Sequence, residues 1–242
     1  MKKYLKMPWA VRLATFFAMI PALFLGGCGQ QTKCEKSIDT AMGTVISQTV
    51  YVTGNSPTAT NGKTDEKVTD VVLQKLNDLE QQELSWRLDS AEVAKINAAA
   101  GKGQIQVSTA MAGWLERCLQ ISEQTGGAFD VSIGKLSRLW DIDTWAAADD
   151  PQDYELPGRE EIEQALASAG WQQMILEQRT ESMAVSIPAG MQIDLGAVGK
   201  GVALDEIRKT LEEHPKVSGA VISVGGIILT YGSQPDGGAW QI

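Results

Sequence analysis

Histidine occurs once in the 242 residues and cysteine three times. The single imidazole, His214 in E-E-H-P-K, reads as an exposed residue in the last turn of a helix before Pro215, where the helix dipole favours its charge. Histidine-based catalysis within these residues has almost nothing to work with. The cysteines form no Cys-x-x-Cys pair and show no zinc-ligand spacing. Positive charge is also short: 21 Lys and Arg stand against 30 Asp and Glu, a formal net charge of −9, which argues against nucleic acid as the main partner. A Walker A loop is missing too. With Gly199-Lys200 as its Gly-Lys pair, the first glycine falls on Asp194 and the hydroxyl residue on Gly201. No internal repeat and no regular βαβ alternation is present, so an α+β fold is favoured over a doubly wound one.

What is present begins at the N-terminus. Lys2, Lys3, Lys6 and Arg12 precede an apolar run from Leu13 to Leu25, the order of a secretory signal. The run ends in Leu25-Gly26-Gly27-Cys28, which looks like the lipobox of bacterial lipoproteins, with Cys28 as the lipidated mature N-terminus. The alternative, an uncleaved membrane anchor, is disfavoured because the run is shorter than the ~20 residues of a spanning helix. Both place the rest of the chain outside the cytoplasm, at a bacterial cell membrane. Cys34 and Cys118 are then left, and a bridge between them is open in an oxidising compartment.

Residues 1–28 are thus expected to be a signal, 29–38 a polar tether and 39–242 a single domain. A strand is expected over Ala41 to Val52, then a loop through T-G-N-S-P-T-A-T-N-G-K-T-D. Val68, Val71, Val72, Leu76 and Leu79 form a helical stripe within Glu66 to Leu84. Asp89-Ser90-Ala91-Glu92 resembles a capping box opening a helix that ends near Gly101. Ser108 caps another, with Met111, Trp114, Leu115, Cys118 and Leu119 as its buried face and Gly126-Gly127 as its stop. After an acidic insertion, a helix is expected over Arg159 to Ala169, a hairpin from M-I-L-E-Q to S-M-A-V-S-I-P, a helix from Lys200 to Glu213, and a strand pair around Val217 to Tyr231.

The stretch M-Q-I-D-L-G-A-V-G-K-G places an acid and a base around a glycine-rich turn. Asp194 reads either as the cap of the following helix or as a ligand for a sugar, a base edge or a metal, beside an anion held by the helix N-terminus and Lys200. Met42-Gly43-Thr44, Leu84 to Ser90 and Gly126 to Ser132 share this compressed character, the last bending into a strand. Singly, Trp86 and Phe129 read as ordinary aromatics and Asp130 as a turn acid.

In their order, M-G-T, L-S-W-R-L-D-S-A-E-V-A-K-I-N, T-G-G-A-F-D-V-S-I-G-K-L-S-R-L-W, I-D-L-G-A-V-G-K-G-V-A-L-D-E-I and V-S-G-A-V-I-S-V-G-G-I-I-L-T-Y-G resemble the ApbE-type FAD:protein FMN transferases. The resemblance implies that Met42 contacts FAD, that Trp86 stacks on the flavin system, and that Ala128, Phe129 and Asp130 line the dinucleotide. It also implies that Asp194 and Lys200 touch FAD and that Ala197 offers its main-chain carbonyl to Mg2+. Such enzymes transfer FMN from FAD to a threonine or serine hydroxyl of a target protein and release AMP. Transfer to water is a related outcome. The implied acceptors are membrane redox pump subunits or extracytoplasmic electron-transfer flavoproteins.

The family pattern continues past S-V-G-G with a histidine-containing stretch, an aspartate and a threonine or serine that complete the magnesium site. The chain has none of these. P-D-G-G-A-W-Q-I reads as the middle of an alternating strand with Trp240 and Ile242 facing a core, so an incomplete domain is expected. Two further readings stand beside the transferase: an FAD-binding lipoprotein or FAD pyrophosphatase that modifies no partner, and a solute-capturing or structural lipoprotein.

Overall fold

The computed structural model describes residues 32–54, 66–147, 154–180 and 182–242. The signal, Cys28 and positions 29–31 lie outside the described residues, as do most of the loop at 55–65 and the centre of the acidic insertion.

Strands β1 (Thr32–Ala41) and β2 (Thr44–Thr53) pair antiparallel from Thr32 opposite Thr53 to Ala41 opposite Thr44. Met42 and Gly43 form the two-residue turn between them at φ +53° and +67°, the left-handed geometry whose twist suits a tight hairpin. Residues 32–38 are therefore strand, not tether. The segment is too polar to show an apolar period, and its one deeply buried acid explains why it docks. The Glu35 carboxylate accepts a hydrogen bond from the Val68 N–H at 2.9 Å, satisfying a donor at the start of the next helix.

That helix, α1 (Val68–Leu79), buries Val68, Val72, Leu76 and Leu79 and widens into a single π-turn, Glu80–Leu84. Helix α2 (Glu92–Ala98) follows without the expected capping box. Its cap is Ala91, two residues past the expected Asp89 cap and with no side-chain bond, while Glu92 accepts from the Ser108 N–H (2.9 Å) and Ser90 Oγ donates to the Gln81 carbonyl (2.6 Å). Strand β3 (Ile105–Val107) leads to α3 (Thr109–Gln124), which Ser108 does cap, its Oγ accepting from the Met111 N–H at 3.0 Å. Met111, Leu115 and Cys118 are buried as expected, while Trp114 and Leu119 are half-buried against the core.

Gly126 to Ser132 does not bend into a strand. Gly126 and Gly127 both take positive φ, and Asp130 draws the Ser132 N–H into a side-chain turn. What remains is one parallel bridge, Ile133 to Gln192. Short helices α4 (Gly134–Trp140), α5 (Ile142–Ala147) and α6 (Arg159–Leu166) precede the expected hairpin, β4 (Ile175–Gln178) with β5 (Met183–Ser186). Helix α7 (Gly196–Glu212) begins four residues earlier than its glycines led us to expect, and β6 (Val217–Val224) and β7 (Ile227–Gly232) complete the fold.

The strands form two antiparallel sheets, ordered β1-β2-β6-β7 and β3-β5-β4. Helices α1 and α7 pack on each other and against the first sheet. Ile46, Val50, Leu76, Ile207, Leu211 and Ile222 are fully buried between them. The α+β expectation stands.

Several smaller expectations change. Cys34 is exposed on β1 and Cys118 is buried in α3, both as free thiols, with burial pushing the Cys118 thiol up to about 11. His214 is half-buried, not exposed, because its Nδ1 lies 2.6 Å from the Thr210 carbonyl. Residues 233–242 are not strand: β7 ends at Gly232 with φ +56°, and Ile242 is exposed. Trp240 instead stacks on Tyr51, with ring centroids 6.0 Å apart, and donates to the Tyr231 and Gly232 carbonyls.

Where α7 meets α1, the buried Glu206 carboxylate bonds Lys209 Nζ at 2.7 Å and lies 3.1 Å from Lys75 Nζ. Burial alone would raise its pKa, but the two lysines outweigh that and hold it below the ordinary 4.5. A folded-state pKa below the unfolded one stabilises above the unfolded value, and the gain is lost as pH falls through the folded value. Thermal melting should therefore move to lower temperature as pH drops below about 4.5, and Glu206→Gln should flatten that part of the profile. An unchanged pH profile for Glu206→Gln would sink this assignment.

Candidate functional site

Two left-handed glycine turns lie side by side at one end of the first sheet: Met42-Gly43 joining β1 to β2, and Gly225-Gly226 joining β6 to β7. The Gly225 N–H donates to the Val45 carbonyl at 3.1 Å, tying the second turn to the strand that follows the first. A methionine in the left-handed region costs about 1–2 kcal/mol relative to ordinary backbone, so Met42 must be held there. The hold is a 2.8 Å bond from its N–H to Glu80 Oε2 in the π-turn.

Helix α7 points its N-terminal turn at the same place. Gly199 is buried there, with Met42 Cε and Leu84 Cδ1 at ordinary van der Waals distance, 3.8 Å, from the position a Cβ would take. Between these elements is a cavity of about 150 Å³ lined by Met42, Glu80, Trp86, Asp194, Gly196 and Lys200. Lys200 reaches across α7 toward the second turn, where a Cβ on Gly225 would lie 3.1 Å from its Nζ and 2.6 Å from Thr44 Oγ1.

Asp194 is fixed at both ends of the residue. Its N–H donates to the Val131 carbonyl at 2.8 Å, and its Oδ1 accepts from the Gly196 N–H at 2.7 Å. The helix cap itself is Leu195, without a side-chain bond, so Asp194 shapes the turn before the helix instead of capping it. Next to the cavity opens a cleft of about 440 Å³ lined by Trp86, Arg87, Asp89, Asn97, Arg138 and Gln192. The Arg87 and Arg138 guanidinium carbons stand 3.9 and 4.6 Å from the centre of the Trp86 ring, close enough for cation–π attraction. Arg138 also donates to the Trp86 carbonyl at 3.3 Å, and Arg87 pairs with Asp143 on α5. Gln192 Oε1 is buried without a partner among the described residues.

The expected residues fall into two groups. Met42, Trp86, Asp194 and Lys200 share the cavity. Ala128, Phe129 and Asp130 line neither space: Ala128 is exposed, Phe129 packs on the core, and both Asp130 oxygens are engaged. Oδ1 accepts from the Ser132 N–H (2.7 Å) and Oγ (2.6 Å), and Oδ2 from the Trp171 N–H (3.3 Å). This loop connects to the cavity through the bond from Asp194 to Val131. Ala197 is exposed in the first turn of α7. Magnesium takes about six oxygens in near-octahedral array, usually with carboxylates among them. Among the described residues no three Asp, Glu, His or Cys side chains gather to hold a metal. The Ala197 carbonyl and the Asp194 carboxylate therefore do not fit a magnesium ion by themselves.

Glu80, Arg138 and Gln192 escaped the sequence reading. Glu80 sits at the end of a helical stripe with no motif around it, and its partner lies 38 residues away.

The ApbE family model matches residues 42–242. The chain belongs to the ApbE family. It is 33% identical to the FAD:protein FMN transferase of Treponema pallidum over 163 residues, covering 64% of this chain and 42% of that protein. With the Escherichia coli K12 protein of the same name it shares 25% over 224 residues, 91% of this chain and 62% of that one. The crystal structure of the Pseudomonas stutzeri flavinyl transferase ApbE superposes with a TM-score of 0.69 at 22% identity, over 88% of this chain and 62% of that one. The flavin transferase ApbE from Vibrio cholerae also gives 0.69, at 21% identity over 88% and 63%. These structures establish the fold; the chain spans less than two thirds of either.

Proposed function

We propose that the chain is the flavin-nucleotide-binding part of an FAD:protein FMN transferase. The observation that carries the reading is the cavity that gathers Met42, Trp86, Asp194 and Lys200 from three separate stretches of an ApbE-family chain. In this reading the flavin system stacks on Trp86, and Lys200 with the N-terminus of α7 draws the pyrophosphate. Arg87 and Arg138 add positive charge beside the indole. The reaction breaks the bond between the FMN phosphorus and the bridging oxygen of the pyrophosphate, which departs with AMP, and forms a phosphoester from that phosphorus to a threonine or serine hydroxyl oxygen of an acceptor protein. AMP leaves, and the hydroxyl proton passes to solvent or to the leaving group. Magnesium belongs to the proposal through the Ala197 carbonyl, one oxygen of its set, and no step is assigned to it.

The full protein is, in this proposal, a lipoprotein held at the extracytoplasmic face of a bacterial cell membrane through Cys28. Its acceptor is a membrane redox pump subunit or an extracytoplasmic flavoprotein. A labelled fatty acid should be incorporated into the wild-type chain and not into Cys28→Ala, and a wild-type chain that takes up no label would sink the lipid anchor.

The test uses the chain with FAD, Mg2+ and an acceptor domain bearing a threonine, read as flavin fluorescence that survives denaturing electrophoresis. FAD affinity is titrated alongside, and Trp86→Ala should weaken it by about tenfold, the loss of one aromatic stacking contact. A wild-type chain that binds no FAD would end the reading.

A further inference from the structure

We propose that Glu80 is a positioning residue for FAD binding, one that fixes the Met42 wall and the Trp86 wall of the cavity to each other. The inference rests on the reading of this cavity as the FAD site. Glu80 uses two different acceptors for the two walls. Its side-chain Oε2 takes the Met42 N–H at 2.8 Å, and its main-chain carbonyl takes the Ser85 N–H at 3.1 Å. The second bond spans five residues and exists because the helix widens into a π-turn at this point, a distortion that recurs at functional sites. Ser85 is followed directly by Trp86, so the position of the indole is set from the same residue.

The chemistry of the cavity makes the choice of residue informative. A carboxylate beside a pyrophosphate is repulsive, and a neutral residue would suit the ligand better. Glu80 lines the cavity all the same. Its bond to the left-handed Met42 gives the reason, since a charged acceptor holds an amide more strongly than a neutral one. Met42 and Asp141 are the two non-glycine residues with positive φ among the described residues, and Met42 alone of them lines the cavity.

The test measures FAD dissociation constants on the whole chain by flavin fluorescence, well below the melting temperature. Glu80→Ala should raise the constant about tenfold, and Glu80→Gln, whose amide oxygen still accepts from Met42, should stay within about threefold of wild type. In a Met42→Gly background, where glycine takes the left-handed turn unaided, Glu80→Ala should change the constant by less than about threefold. If Glu80→Ala does not fold, Glu80→Met, of similar volume without an oxygen, replaces it. Wild-type affinity in Glu80→Ala or Glu80→Met overturns the proposal, as does Glu80→Gln falling as far as either. A wild-type chain that binds no FAD overturns the functional reading itself, a different result from FAD bound equally by all variants.

Discussion

Asp130→Ala is expected to lose about 3 kcal/mol of stability, because three donors are left behind and hydrogen bonds to a charged group contribute about 1.5–3 kcal/mol each before solvent recovers part of it. The donors are the Ser132 N–H and Oγ–H and the Trp171 N–H, and Ser132 is buried. Ser132 Oγ in turn accepts from the Gly170 N–H at 2.7 Å, so the damage spreads to the entry of β4. The neighbouring Val131 carbonyl carries Asp194, and FAD affinity should therefore fall as well, although Asp130 lines neither the cavity nor the cleft. Asp130→Asn keeps one oxygen and should lose about half as much. Chemical denaturation decides the matter: an unshifted midpoint for Asp130→Ala would show that the loop is held by other contacts.

Ile207→Ala should cost about 2–5 kcal/mol, the range for emptying a fully enclosed aliphatic site. Ile207 has no exposed surface and lies on α7, which packs against α1 and the strands of the first sheet. Ile207→Val removes one methylene and should cost about 0.5–1.5 kcal/mol. Both should leave FAD affinity unchanged at temperatures where the chain remains folded, since Ile207 lines neither space at the candidate site. Equal melting temperatures for Ile207→Ala and wild type would mean that the core closes over the deletion.

What could be read in advance follows the range of the forces involved. Helix α3 announced itself through a serine cap and an apolar stripe, and β2 through β-branched alternation. Strand β1 did not, because its sequence is polar and its place is decided by pairing with β2 and by Glu35 meeting α1. The start of α7 was hidden by three glycines, each a weak helix former. At the candidate site, the motifs that carry the family resemblance marked Met42, Trp86, Asp194 and Lys200. They could not mark Glu80 or Gln192, whose roles arise only when distant segments meet, whereas the plain reading of Asp130 as a turn acid matches its bonds to Ser132.

The pairing of β2 with β6 bears on how the chain is made. Ser218 on β6 donates to the Tyr51 carbonyl on β2 across 167 positions of sequence. During synthesis, β2 can zip to β1 as soon as their turn emerges, but its other edge must wait for β6, which follows 167 positions after its partner. Long-range strand pairing is slow, and an open strand edge is a template for wrong partners in the meantime. The β2 edge that faces β6 is thus the part of the first sheet left open longest.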